Sequence, residues 1–276
     1  MERLQSAIDK ARARRKDDRP KGQAVPIAAQ PHQLPESLTL DAWAGIPEFV
    51  PQPDVMRRNR VLTFAGGGES TPFDMLRTKV LQQMRANNWR RLAVTSPGGA
   101  CGKTTVCANL AFSLARQSDI RTLMIDMDMR RPALARTLGI EREGLQFSKA
   151  LEGRADPLVH MRRYGSNLAV GLCEAPIRAP SELLQSDTAH AVLNDLERRL
   201  DVSLTIFDMP PMLATDDVLA FVGNVDCVLL VAAAESTTTK EVDICERDLA
   251  AQTNVLGVVL NKCRYPENDH NYDYYE

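Results

Sequence analysis

The chain has 276 residues, a formal charge of −2 and 44% apolar residues. That length suits one large α/β domain with tails, and the near-neutral charge excludes a global electrostatic case for nucleic acid. No run of about 18 apolar residues is present, which argues against a membrane-spanning helix, and Met1 to Ser6 lack the apolar core of a secretory signal. The six cysteines are scattered without a C-x-x-C pair, so they read as buried or half-buried free thiols in a reducing cytoplasm.

Residues 1–22 are basic, with Arg12, Arg14, Arg15, Lys16, Arg19 and Lys21 beside a thin apolar stripe of Met1, Leu4, Ile8 and Ala11. They read as a solvated tail, with contact to an anionic membrane or a partner as the alternative. Residues 23–60 carry repeated prolines and no sustained periodicity, the pattern of a linker with one docking segment around Trp43 and Phe49. The expected division is therefore a charged, proline-rich tail and linker over 1–60, a compact domain over 61–264 and a tyrosine-rich tail over 265–276.

Within the domain, Phe73, Leu76, Val80 and Met84 share one face of a helix expected over Pro72–Met84. Strands are expected at Arg91–Thr95, Arg121–Asp126, Leu168–Cys173, Ser203–Asp208, Asp226–Ala232 and Val255–Leu260. Most are continuous apolar runs, as parallel strands covered on both faces require. Between them lie helices expected near Thr104–Arg116, Pro132–Leu138, Ser181–Leu200, Asp216–Val222 and Thr239–Gln252. The last opens with a capping-box spacing, Thr238 and Glu241. This alternation implies an α/β fold with a doubly wound, mostly parallel sheet and its ligand at the C-terminal strand ends.

Thr95-Ser96-Pro97-Gly98-Gly99-Ala100-Cys101-Gly102-Lys103-Thr104-Thr105 joins the first of these strands to a helix with Val106, Leu110 and Leu114 on one face. A glycine-bearing turn at a helix start aims backbone N–H groups and the positive end of the helix dipole at one point, which suits phosphates. Lys103 adds a charge for the terminal phosphates and the Thr104 hydroxyl suits Mg²⁺. Pro97 stands where the strict G-x4-G-K-[ST] pattern has its first glycine. Two further strands end in acid, Asp126-Met127-Asp128 and Asp208-Met209-Pro210-Pro211. Asp208 is the prime metal candidate. Asp126 and Asp128, two apart, face one way in an extended chain, so one could accept an attacking hydroxyl's proton and the other assist with metal. Asp at such positions also serves turns and helix caps. The last twelve residues hold four of the five tyrosines, Tyr265, Tyr272, Tyr274 and Tyr275, among Asp269, Asp273 and Glu276. These tyrosines read either as phosphoryl acceptors or as rings docked on a surface.

Together these residues resemble the bacterial tyrosine kinases of capsule and exopolysaccharide export, over about Arg60–Glu276. The resemblance rests on Ser96-Pro97 and Gly102-Lys103-Thr104-Thr105, on Asp126-x-Asp128-x-Arg130-Arg131-Pro132, on Asp208-Met209-Pro210-Pro211, on Pro180-Ser181-Glu182-Leu183-Leu184, on Thr215-Asp216 and on Val258-Val259-Leu260-Asn261-Lys262. It implies a P-loop NTPase of the deviant Walker, partitioning-ATPase-like group, working with ATP and Mg²⁺. Gly98, Gly99, Ala100, Cys101, Gly102, Lys103, Thr104 and Thr105 would then hold the phosphates, and Asn261 would lie near the adenine. Thr104, Asp126 and Asp208 would serve the metal, and Lys103, Asp126, Asp128 and Asp208 the chemistry. Tyr272, Tyr274, Tyr275 and Tyr265 would be the acceptors.

The implied partners are the cytoplasmic segment of a membrane-embedded polysaccharide co-polymerase, which recruits the chain to the inner face of the plasma membrane, a cognate tyrosine phosphatase, further copies of the chain, and no nucleic acid. Gly98 stands where partitioning ATPases carry a second signature lysine, which favours the kinase branch. The family's Pro-Gly-Glu is here Gly99-Ala100-Cys101, and of its oligomerisation pattern Glu-x-x-Arg-x-x-Arg only Arg77 survives, with Thr71 and Asp74 in the other places. The alternative function is a nucleotide-state switch that binds the export partner with little phosphotransfer. A partitioning or cell-positioning ATPase is a third, weaker reading.

Overall fold

The computed structural model describes residues 42–264. Seven strands form one sheet in the order β3-β4-β2-β5-β1-β6-β7. These are β1 (Arg91–Ser96), β2 (Thr122–Asp126), β3 (Met161–Tyr164), β4 (Leu168–Gly171), β5 (Leu204–Pro211), β6 (Cys227–Ala233) and β7 (Asn254–Asn261). All pairs are parallel except β3 with β4. The doubly wound expectation holds, and each of the six expected apolar runs forms a strand of this sheet.

The central strands are apolar on both sides because both faces are covered. Along β1, Leu92 and Val94 face one core while Ala93 faces the other; along β2, Met124 opposes Leu123 and Ile125 in the same way. The first core packs α2 (Thr71–Asn87) and α3 (Lys103–Ala115), whose Val106, Leu110 and Leu114 are all buried. The second packs α5 (Phe147–Leu151), α6 (Pro180–Leu184), α7 (Asp187–Arg199), α8 (Asp217–Phe221) and α9 (Thr239–Ala250). Each fully buried Leu, Val or Phe on these faces contributes about 1.5–3 kcal/mol. The capping box at Thr238 and Glu241 is present in full.

Four features differ from the sequence expectation. The helix expected over Ser181–Leu200 is two helices, because Ser186 leaves helical geometry and its hydroxyl accepts the Ala189 N–H at 3.1 Å as the cap of α7. The helix expected from Pro132 is the shorter α4 (Leu134–Leu138). The antiparallel β3 and the five-residue α5 lie in segments too short and mixed to carry a period. Finally, residues 42–60, expected as a linker with one docking segment around Trp43 and Phe49, pack on the domain well beyond that segment, which docks as expected. Trp43, Ile46 and Met56 are buried, and α1 (Pro53–Arg58) forms within the segment. Phe49 N–H donates to the Arg163 carbonyl and Arg163 N–H to that of Pro47, both at 2.9 Å. These bonds cover the open edge of β3, where unpaired backbone groups would otherwise face water.

Candidate nucleotide and phosphoryl-transfer site

The loop after β1 and the ends of β2 and β5 meet at the C-terminal edge of the sheet. Adjacent strands β2 and β5 run in a register that makes Asp126 and Asp208 direct partners, and Asp208 lies one strand from the P-loop strand β1. The order β2-β5-β1 thus places three sequence-distant motifs side by side, which only a parallel sheet with crossovers achieves.

The loop is held from below. Met212 and Leu213 N–H groups donate to the Ser96 and Pro97 carbonyls at 2.8 and 3.1 Å. The Asn261 amide donates to the Cys101 carbonyl at 2.9 Å, and the Ser96 hydroxyl to that of Gly98 at 2.7 Å. Among the described residues, no hydrogen bond takes up the backbone N–H groups of Gly98 to Gly102. Carbonyls tied down and amides left open are what an anion cradle needs. Gly102 must be glycine: its φ is 93°, and a Cβ there would meet the Asn261 amide at 2.2 Å. Ala100 also takes a left-handed φ of 59°, which costs an alanine about 1 kcal/mol.

Lys103 is buried, with Nζ 3.5 Å from Asp128 Oδ2. Asp128 in turn accepts the Arg131 N–H at 3.1 Å. Asp208 is wholly buried; Cys107 Sγ–H approaches its Oδ1 at 3.6 Å, and its Oδ2 has no partner. Burial raises the Asp208 carboxyl to about 6, held back by the Lys103 charge and the Thr104 hydroxyl. Asp126 is also pushed well up, first by burial and then by the Asp208 charge. An unpartnered buried carboxylate oxygen beside a hydroxyl is an oxygen donor set of the kind Mg²⁺ takes.

Asp126 is placed differently. Its Oδ1 accepts the Asp128 N–H at 3.2 Å, and its Oδ2 accepts those of Ala133 and Leu134 at 3.1 and 3.0 Å. It therefore organises the turn from β2 into α4, the cap role that the sequence left open beside its metal role. Asn261, expected near the adenine, has its amide against the loop. The sequence reading also gave no task to a further pair. Arg130 makes two bonds, at 2.7 and 2.9 Å, to the wholly buried Asp217 at the start of α8. The signal was the Arg of the Asp-x-Asp-x-Arg run, but its partner lies 87 residues away. Asp74 and Arg77, of the oligomerisation pattern, are both engaged within the chain. Asp74 bonds Ser70, Ser113 and Arg116, and Arg77 donates to the Ser113 carbonyl at 3.2 Å. Of the cysteines, Cys263 is exposed and the other five are buried. The tyrosines expected as acceptors, Tyr265, Tyr272, Tyr274 and Tyr275, lie outside the described residues.

A doubly wound sheet with an open-amide loop, a buried lysine and strand-end carboxylates defines a nucleotide-binding P-loop domain. Residues 92–276 match the CobQ/CobB/MinD/ParA nucleotide binding domain family, and the chain belongs to it. Within that family its likeness is to bacterial tyrosine kinases. It is 29% identical over 267 residues to the tyrosine-protein kinase Wzc of Salmonella typhi, covering 93% of this chain and 36% of that protein. It is 27% identical to the tyrosine-protein kinase CpsD of Streptococcus pneumoniae serotype 4, covering 65% of this chain and 79% of that one. The solved VpsO kinase domain superposes with a TM-score of 0.63 at 30% identity, covering 70% of this chain and 96% of that one. The chain thus spans nearly all of a solved kinase domain and about a third of the longer Wzc. It is a protein-tyrosine kinase domain of the bacterial tyrosine kinase family.

Proposed function

We propose that the chain is an ATP- and Mg²⁺-dependent autokinase that phosphorylates its own C-terminal tyrosines and thereby regulates polysaccharide polymerisation and export. The observation that carries this is the convergence of Lys103, Asp128 and the unpartnered Asp208 Oδ2 beside the open amides of Gly98 to Gly102. The amides and Lys103 bind and orient the nucleotide's phosphates. Asp128, held through the Arg131 N–H and facing Lys103, accepts the proton of the attacking tyrosine hydroxyl. The tyrosine oxygen forms a bond to the γ-phosphorus as the bond to the β-phosphate oxygen breaks, leaving ADP and phosphotyrosine. Thr104 and Asp208 would hold the metal, which neutralises charge on the phosphates. Asp126 contributes by fixing the turn that carries Asp128.

The physiological partners are those the family implies. A membrane-embedded polysaccharide co-polymerase would recruit the chain to the inner membrane face through its cytoplasmic segment, and a cognate phosphatase would reset the tail. Among the described residues no helix is long and apolar enough to cross a membrane. The test is to incubate the chain with ATP, Mg²⁺ and that cytoplasmic segment and to map phosphotyrosine by mass spectrometry. Label is expected on Tyr272, Tyr274, Tyr275 or Tyr265, and it should vanish in Lys103→Met. An unlabelled wild-type tail would refute the kinase reading and leave a nucleotide-state switch.

A further inference from the structure

A cavity of about 580 Å³ opens at the C-terminal end of β4, beside the strand that delivers Asp126 and Asp128. Its wall is tied to that motif, since Ile177 N–H donates to the Met129 carbonyl at 3.0 Å. Its floor is firm: the buried Gln146 amide bonds the Ser148 hydroxyl at 2.9 Å and both the carbonyl and the N–H of Ala175. A size of a few hundred Å³ is that of a ligand pocket rather than a packing fault.

The charge around it is uneven. Arg142 and Lys149 are exposed on its rim, and among the described residues neither forms an ion pair with an acid, whereas Glu152 is neutralised by Arg154 at 2.9 Å. Glu174 stays charged, held low against its burial by the Glu143 and Gly144 N–H groups and by Arg142, whose guanidinium also donates to the Glu174 carbonyl at 3.1 Å, so Arg142, Lys149 and Arg154 outnumber Glu152 and Glu174 by one charge. Burial, with the charges of Lys149 and Arg162, also holds nearby His160 below its ordinary value. The chain's own acceptor segment has the opposite character: after Arg264 it carries Glu267, Asp269, Asp273 and Glu276 and no lysine or arginine.

Distances agree. Neighbouring strands lie about 4.8 Å apart and an extended chain advances about 3.4 Å per residue. A peptide with its tyrosine at Asp128 therefore has residues one to two positions away over the β4 end, the neighbouring strand. Tyr272 and Tyr275 each have an acid at such a separation, Asp273 in both cases.

We infer that this cavity is an acceptor subsite, in which Arg142 and Lys149 select peptides with carboxylates flanking the tyrosine. The inference rests on the kinase reading for what the peptide is there to do, but its binding step can be measured without phosphotransfer. The probe is a fluorescein-labelled peptide of residues 265–276, titrated against the full chain by anisotropy, alongside the same peptide with its four acids as amides. The acidic peptide should bind about tenfold tighter, with an advantage that shrinks as salt rises. That advantage should collapse in Lys149→Glu with Arg142→Glu, and fall partway in Lys149→Gln, while labelled-nucleotide binding is unchanged.

Equal affinity for the two peptides, an advantage that survives in a folded charge-reversed chain, or no peptide binding at all would overturn the subsite. If the double variant fails to fold, Lys149→Gln decides alone. Selective binding without phosphotyrosine would leave the subsite and remove the kinase reading; phosphotyrosine without selectivity would do the reverse.

Discussion

Asp126 and Asp208 are the same residue type at the same place, the end of an apolar run, and they sit opposite one another in register. Both are wholly buried. Yet three backbone N–H groups occupy Asp126, while Asp208 keeps one oxygen without any partner. The difference lies in the path of the chain beyond each aspartate. Beyond Asp126 the chain loops back through residues 127–133 to the start of α4 and brings the Asp128, Ala133 and Leu134 amides onto the carboxylate; beyond Asp208 it runs on through Pro210 and Pro211, and prolines have no N–H to offer. One aspartate is consumed by architecture and the other is left for a ligand. An identical local signal thus carries two physical roles.

That contrast is breakable, and the largest expected effect is on activity. Asp208→Asn should lower autophosphorylation about 10³-fold, as Lys103→Met should, with the fold intact by circular dichroism. Asp126→Ala should instead lose stability, by about 3 kcal/mol in urea melts, because three backbone donors, two of them buried, lose their acceptor. If Asp208→Asn unfolded the chain and Asp126→Ala did not, the assignment of roles would be reversed. Asp217→Ala should cost less, about 1 kcal/mol, because Arg130 is partly exposed and keeps Asp216 at 3.7 Å. Its activity loss should be recovered in part by Asp217→Glu if the pair positions Asp128.

A smaller effect than that of Asp126→Ala is set by pH. The Asp208 carboxyl is raised to about 6 in the folded chain, so between about pH 4 and 6 the folded state binds more protons than the unfolded one. Stability of the ligand-free protein should therefore fall as pH rises through that window, by about 2 kcal/mol. Asp208→Asn should flatten the profile, and Asp126, raised as well, should account for the remaining slope. The smallest effect is at the loop: Ala100→Gly should stabilise the chain by about 1 kcal/mol, by relieving its left-handed φ. Thermal melting checks this, and an unchanged or lower midpoint would mean that the loop tolerates the alanine.

Much of the fold was legible because the signals are short-range. Apolar runs marked six of the seven strands, and Val106, Leu110 and Leu114 marked the packed face of α3. The capping box at Thr238 was readable from two residues. The misses had physical causes. Ser186 interrupts a pattern whose apolar spacing continues across it, so α6 and α7 read as one helix. Strand β3 is four residues, Met161–Tyr164, two of them arginine, and it is a strand because β4 and residues 47–49 flank it. Trp43 and Phe49 were legible as a docking segment, but Met56 and α1 read as linker because what buries them is far away in sequence.

At the site, sequence alone determined the chemical inventory: a loop with Lys103 and Thr104 before a helix, and acids at two strand ends. Spacing and residue type suffice for that, since each motif is a local turn whose geometry comes from its own residues. Only the tertiary structure decided how the acids divide the work. The strand order β2-β5-β1 brought Asp208 to the P-loop, the turn after β2 claimed Asp126, and α8 supplied Asp217 to hold Arg130. Such choices depend on which backbone amides reach a carboxylate, and those amides come from segments that no local pattern connects.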